Sequence, residues 1–329
     1  MPKWAKDLGC KIHKDVCFCA AAGGHFEVLK WVRENGGQWD YSTCEIAARL
    51  GNLEMLKWVR ERGCEWNLGT CAAAAEKGHL EVLKWARQHG CPWDAYTCAT
   101  AAEGGHLDVL KWARQKGRRW DEMVSECAAG GGHLEVLKWA AKHKCRWTTQ
   151  ACSSAACCNR LDVLKLLRRL GCPWDSETCK TAIEEGYMDL LKWARDRGCP
   201  WDAHCFNAAV KKKDFELMKW LKEKGCPWDK STFDEAAELG RVDILKWMKE
   251  NGCPSSDYAC TAAAEKGRLE ALQWLREQGC SWGFAESTGE AAIKSGKVEV
   301  AKWCKENGCP GQYPSHFAAA WRKLDMLKG

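Results

Sequence analysis

The stretch Asp94–Trp120, DAYTCATAAEGGHLDVLKWARQKGRRW, decides the fold. Asp94 is a good N-cap, because its short carboxylate can accept from the unpaired N–H groups of a helix's first turn. A first helix is predicted over 95–103, with Ala101 and Ala102 as small positions. Gly104 and Gly105 end it, with Gly105 at the left-handed position that a Cβ disfavours. A second helix is predicted from about His106 to Lys116. Leu107, Leu110 and Ala113 form a stripe that Val109 and Trp112 widen, so this helix is expected to be covered on two sides. Asp108 and Lys111 make an i, i+3 pair. Arg114 suits the helix C-terminus, and Gly117 closes the unit.

The stretch is one copy of a repeat. Lys-Trp recurs every 27 residues, at Trp31, Trp58, Trp85, Trp112 and Trp139, skips Leu166, and returns at Trp193, Trp220 and Trp247. Trp4, Trp274 and Trp303 continue the series. A second series with the same period runs from Trp39 to Trp282, and the two together hold 20 of the 21 tryptophans. Seventeen of the 23 cysteines keep the same period. One set, such as Cys64 and Cys91, precedes the link tryptophan. The other, such as Cys71 and Cys98, follows it. At the Gly105 position Asn159 and Lys213 each stand once.

One helical hairpin cannot bury its apolar face alone, whereas stacked copies can. The chain is therefore read as all-α, an α-solenoid of helix–turn–helix repeats. It forms a single array over 1–329 with about eleven full repeats and part repeats at both ends. Neither end resembles a polar cap, which suggests a piece of a longer array or ends that pack on something else.

Composition narrows the function. Mean hydropathy is −0.47, and no apolar run approaches the ~18 residues of a membrane span. A net charge of +6, spread evenly over both halves, argues against a nucleic-acid protein driven by bulk charge. The start Met1-Pro2-Lys3-Trp4 lacks the apolar core of a secretory signal, so the cysteines are read as reduced thiols and the chain as cytoplasmic.

Gly78-His79-Leu80-Glu81-Val82-Leu83-Lys84 resembles the opening of the outer helix in the ankyrin repeat. Thr97–Gly105 is similar to that family's inner-helix segment, with Cys98 in place of its leucine, and Trp93 stands for an apolar residue of its link. The units here are shorter than the family's, and the four residues between Trp93 and Cys98 leave no room for a β-hairpin finger. The chain is thus similar to the short, Trp-rich ankyrin-like arrays of algae, other protists and giant viruses. The resemblance implies a protein-binding, non-enzymatic array with no cofactor. It also implies that the histidines at 25, 79, 106 and 133 support inter-repeat turns.

Chemistry at the cysteines and tryptophans competes with this reading. Cys91 and Cys98 are seven apart, which is not a zinc-knuckle spacing, and equivalent cysteines lie ~10 Å apart by helix stacking. Cysteine is therefore expected as a small buried hydrophobe, and no metal ligand is assigned. The denser group around Cys152, Cys157 and Cys158, beside the odd Leu166 repeat, is kept as a second alternative, a metal or redox site. Tryptophans at fixed apolar positions are expected in the core. No HExxH, GxSxG, Walker A or dinucleotide fingerprint is present.

Positions that vary between copies are more informative. They cluster at the start of the first helix and just before the turn, which the resemblance places on the concave, partner-facing side. The partner-binding candidates are Tyr41, Arg49, Leu68, Lys77, Tyr96, Glu103, Met123, Gln150, Glu177, His204, Lys211 and Tyr258. A protein partner is expected along that face. The first alternative is a nucleic-acid or phosphate-bearing ligand at the basic cluster Lys116, Arg118, Arg119, His143, Lys144 and Arg146.

Overall fold

The computed structural model describes residues 15–117, 121–283 and 287–311. Among them are 22 α-helices and no strand. They alternate as first and second helix of each repeat, Ala95–Glu103 with Leu107–Gln115 being one pair. The chain divides into two compact units, Met1–Trp174 and Asp175–Gly329.

Within the first unit, Tyr41–Arg49 stacks on Leu68–Glu76, then on Ala95–Glu103, Met123–Gly131 and Thr149–Cys157. In the second, Ser176–Glu185, Ala203–Lys212, Lys230–Leu239, Ala259–Glu265 and Ser287–Lys294 stack in the same way. Paired alanines such as Ala74 and Ala75, Ala101 and Ala102, and Ala128 and Ala129 are buried at these contacts. Their small side chains let neighbouring helices approach closely. Second helices touch one another sparsely.

The caps follow the sequence reading. Asp94 and Asp229 each form a capping box with a threonine three residues on. Gly105 lies at φ +77°, and Asn159 and Lys213 hold the same left-handed conformation at φ 53° and 60°. Lys144 does so at 58°, where other copies have the Gly117 residue.

Two expectations are corrected. No described tryptophan is in the core; every one is half-buried. The core is instead the alanines and cysteines of the first helices against residues such as Val109, Leu110 and Ala113. Leu107 and Trp112 stay half-exposed, so the second helix is covered on one side only. The tightly stacked alanine helices leave no space for an indole inside.

The tryptophans form a surface ladder. Trp39 meets Trp58 at 5.7 Å and Trp66 meets Trp85 at 5.9 Å. The ladder continues with Trp93 and Trp112 at 5.4 Å, and in the second unit Trp201 meets Trp220 at 6.1 Å. Among the described residues an arginine lies over six of the link rings, with Arg60 4.0 Å above Trp66 and Arg195 3.8 Å above Trp201, and Lys222 takes that place 3.8 Å above Trp228. These arginines also donate to the carbonyls of Cys64 and Cys199, closing the C-terminus of the second helix.

Candidate binding face

The first-helix candidates occupy one position after another along each stack. Tyr41, Leu68, Tyr96 and Met123 stand in the first turns of four successive helices, with exposures of 48%, 42%, 54% and 37%. Gln150, Glu177 and His204 are exposed at the same level of their helices. Tyr258 is the residue just before the helix Ala259–Glu265, and its hydroxyl donates to Glu265 at 3.3 Å.

Large exposed hydrophobic side chains are rare elsewhere. Among the described residues they are Phe18, Val28, Leu50 and the five candidates Tyr41, Leu68, Tyr96, Met123 and Tyr258. Leu50 belongs to the variable pair before the turn. In the first unit this makes an apolar row with a neighbour roughly every 10 Å, the spacing of packed helices.

The pre-turn candidates are charged, and three of them reach towards a carboxylate. Arg49 bonds Glu76 of the next repeat at 2.6 Å, and Lys77 meets the same carboxylate at 3.0 Å. Burial opposes the charge on Glu76, but Lys77 and Arg49 together hold its carboxyl below the ordinary range. Lys211 pairs with Glu235 at 3.3 Å. Glu103 is exposed, and its carbonyl accepts from His133 at 2.7 Å. Arg49 and Lys211 therefore join successive repeats as well as facing the surface, whereas Lys77 pairs within its own repeat.

The histidines hold the turns together. His79 donates through Nε2 to the carbonyl of Arg49 at 3.0 Å, and His106 to that of Glu76 at 2.9 Å. Where histidine is lost, Arg268 reaches the Glu238 carbonyl at 3.0 Å and Lys212 reaches that of Glu184 at 2.6 Å.

The two cysteine series meet in pairs 20 residues apart, which comparison of like with like had missed. Cys152 Sγ lies 3.7 Å from Cys172 Sγ. Hydrogen bonding to Cys64, Cys91 and Cys199, followed by burial, pushes Cys44, Cys71 and Cys179 far above the usual thiol range. The link sulfur also donates to the N-cap carbonyl, as Cys64 does to Asp40 at 3.1 Å. Burial pushes Cys205 and Cys260 up to about 12. No disulfide joins the described cysteines.

The alternatives are placed differently. Cys152 is buried against Cys172, while Cys157 and Cys158 are exposed at the end of the helix. Among the described residues, no three histidine, cysteine or carboxylate side chains gather as a metal set. Of the basic cluster, Lys116, Lys144 and Arg146 are exposed and His143 packs on Trp139 at 4.8 Å. Arg118 and Arg119 lie outside the described residues. No described helix is long and apolar enough to cross a membrane.

No family model matches the chain, and no curated protein matches it. Among solved structures it is similar to the crystal structure of the human ASB11 ankyrin repeat domain. That likeness has 17% identity and a TM-score of 0.43, and it covers 56% of this chain and 98% of that one.

Proposed function

We propose that the chain is a non-enzymatic, intracellular protein-binding scaffold whose partner lies along the first-helix face. The supporting observation is the exposed apolar row Tyr41, Leu68, Tyr96 and Met123, half of the large exposed hydrophobic side chains among the described residues. Exposed aromatic and methionine side chains in a line give a partner apolar anchors without any rearrangement of the framework. The charged pre-turn positions Arg49, Lys77 and Glu103 rim the row and supply selectivity. The 27-residue period continues across Trp174, so both units are read as one array. Gln150 continues the row in the first unit, and Glu177, His204, Lys211 and Tyr258 hold the matching positions of the second unit with more polar character.

Affinity capture with mass spectrometry tests this. Partners recovered with the native chain should be lost with the double variant Tyr96→Ala/Met123→Ala. If every partner is retained by the double variant, the first-helix face is not the binding face.

A further inference from the structure

A cleft of about 380 Å³ lies between the second helices Leu80–Gln88 and Leu107–Gln115, lined by Lys84, Arg87, Gln88, Trp93, Trp112 and Lys116. The second unit has the same cleft, of about 500 Å³, lined by Gln273, Arg276, Glu277, Trp282, Trp303 and Asn307. Both have an arginine over the link tryptophan, Arg87 at 4.9 Å and Arg276 at 4.2 Å. Both have a tilted tryptophan pair, at 5.4 and 5.8 Å.

The two differ in charge. The first cleft carries three cations and no carboxylate in its lining; the second carries one of each. The difference belongs to a longer pattern. The last acidic position of the second helix is Glu34, Glu61, Asp196, Glu223, Glu250, Glu277 and Glu306 in seven repeats. In the four successive repeats between them it is Gln88, Gln115, Lys142 and Arg169, all exposed. The first unit therefore has a local run of second-helix ends without their usual carboxylate.

We propose that the Trp93–Trp112 cleft binds an acidic, extended peptide segment of a partner protein. An apolar side chain of the peptide rests against the two indoles, and flanking carboxylates meet Lys116 and, in exchange for its 2.7 Å pair with Glu81, Lys84. This face is separate from the first-helix row and does not depend on it. A peptide fits better than a nucleic-acid strand for three reasons. Arg87 already covers one face of Trp93 and Trp112 packs against the same ring, so the indole is a poor stacking platform for bases. Glu81 is paired with Lys84 at 2.7 Å and Asp108 stands exposed in the first turn of the other helix, so the local positive charge is partly offset and favours a ligand with spaced carboxylates over a polymer charged on every unit. An extended peptide advances ~3.3 Å per residue, so three residues span one helix spacing of ~10 Å.

The test uses a labelled peptide of repeated Glu-Glu-Phe units, a Gln-Gln-Phe control and an oligothymidylate, with fluorescence anisotropy as the readout. The acidic peptide is expected to bind the full chain, more weakly as salt rises. The triple variant Lys84→Gln/Gln88→Glu/Lys116→Asn installs a lining that the second unit already carries in folded form. It should weaken binding about tenfold or more, the size of a lost charge contact. Tyr96→Ala/Met123→Ala should leave peptide binding unchanged, which separates this site from the first-helix face. The proposal fails if the acidic peptide does not bind, if the Gln-Gln-Phe peptide binds equally, if the oligothymidylate is preferred, or if the triple variant binds as tightly as the native chain.

Discussion

His106 Nε2 lies 2.9 Å from the carbonyl oxygen of Glu76, thirty residues earlier in the chain. The imidazole also sits against Gly78, whose missing side chain leaves it room: a Cβ there would come 2.3 Å from His106 Nδ1. One side chain thus ties the start of a second helix to the end of the preceding repeat's first helix. His106→Ala is expected to lower stability by about 1 kcal/mol, the value of one hydrogen bond. His106→Arg should keep most of it, since Arg268 makes the same bond to Glu238. Gly78→Ala should do more damage than His106→Ala, because it adds a clash to a left-handed backbone at φ 73°. Urea unfolding of the three variants ranks them.

Lys213 occupies a left-handed position that most other repeats give to glycine, with φ 60°. Its side chain is exposed and its Cβ is strained there. Lys213→Gly is expected to stabilise the chain by about 1 kcal/mol. A rise in thermal midpoint checks it, and a fall would show that the lysine side chain contributes more than the strain removes.

Asp229 caps Lys230–Leu239 by accepting from the N–H groups of Ser231 and Thr232 at 2.9 and 3.3 Å. Asp229→Ala should cost about 1 kcal/mol. The Ser231 hydroxyl, and then the two backbone groups, hold the Asp229 carboxyl below its ordinary value against the effect of burial. A lowered folded-state value means that the contribution is present above the unfolded value of about 4 and is lost as pH falls through the folded one. Stability measured from neutral pH downward should therefore fall less steeply in Asp229→Ala than in the native chain.

Thiol labelling should divide the cysteines sharply. Cys19, Cys157 and Cys158 are exposed and should react with a maleimide within minutes in the native state. Cys44, Cys71 and Cys179 are buried and disfavour the thiolate, so they should react only at the rate of unfolding. Peptide mapping of the label reads both classes. Rapid native-state modification of Cys71 would contradict the packing described.

Helix ends and turns were legible in the sequence because they are local. A left-handed turn selects glycine and an N-cap selects aspartate, whatever lies nearby, so Asp94 and Gly105 could be read directly. The exposed row was legible for a related reason: Tyr96 and Met123 stand where copies differ, and a packed framework position rarely varies in that way. The burial of the repeat cysteines was legible too, but their pairing and the places of the tryptophans were not, because these depend on contacts between distant residues. Trp93 is hydrophobic enough for a core, but the alanine stacking of the first helices has no room for it, and Arg87 makes the surface acceptable to its ring. Cys152 meets Cys172 across a whole hairpin, a pairing that a comparison of equivalent positions passes over. The ion pair of Arg49 with Glu76 was hidden for the same reason, since it joins successive repeats.

The stacking of first helices on their neighbours within each unit also governs how the chain folds. Among the described helices of a unit, the substantial contacts join helices of one repeat or of adjacent repeats, so folding has no long loops to close and can start at any adjacent pair of repeats. Growth then proceeds by adding one hairpin at a time to an existing edge. Interior hairpins, held on both sides, exchange their amides last, while end hairpins open first. A substitution that breaks one alanine interface splits a cooperative unit into two shorter segments that melt separately.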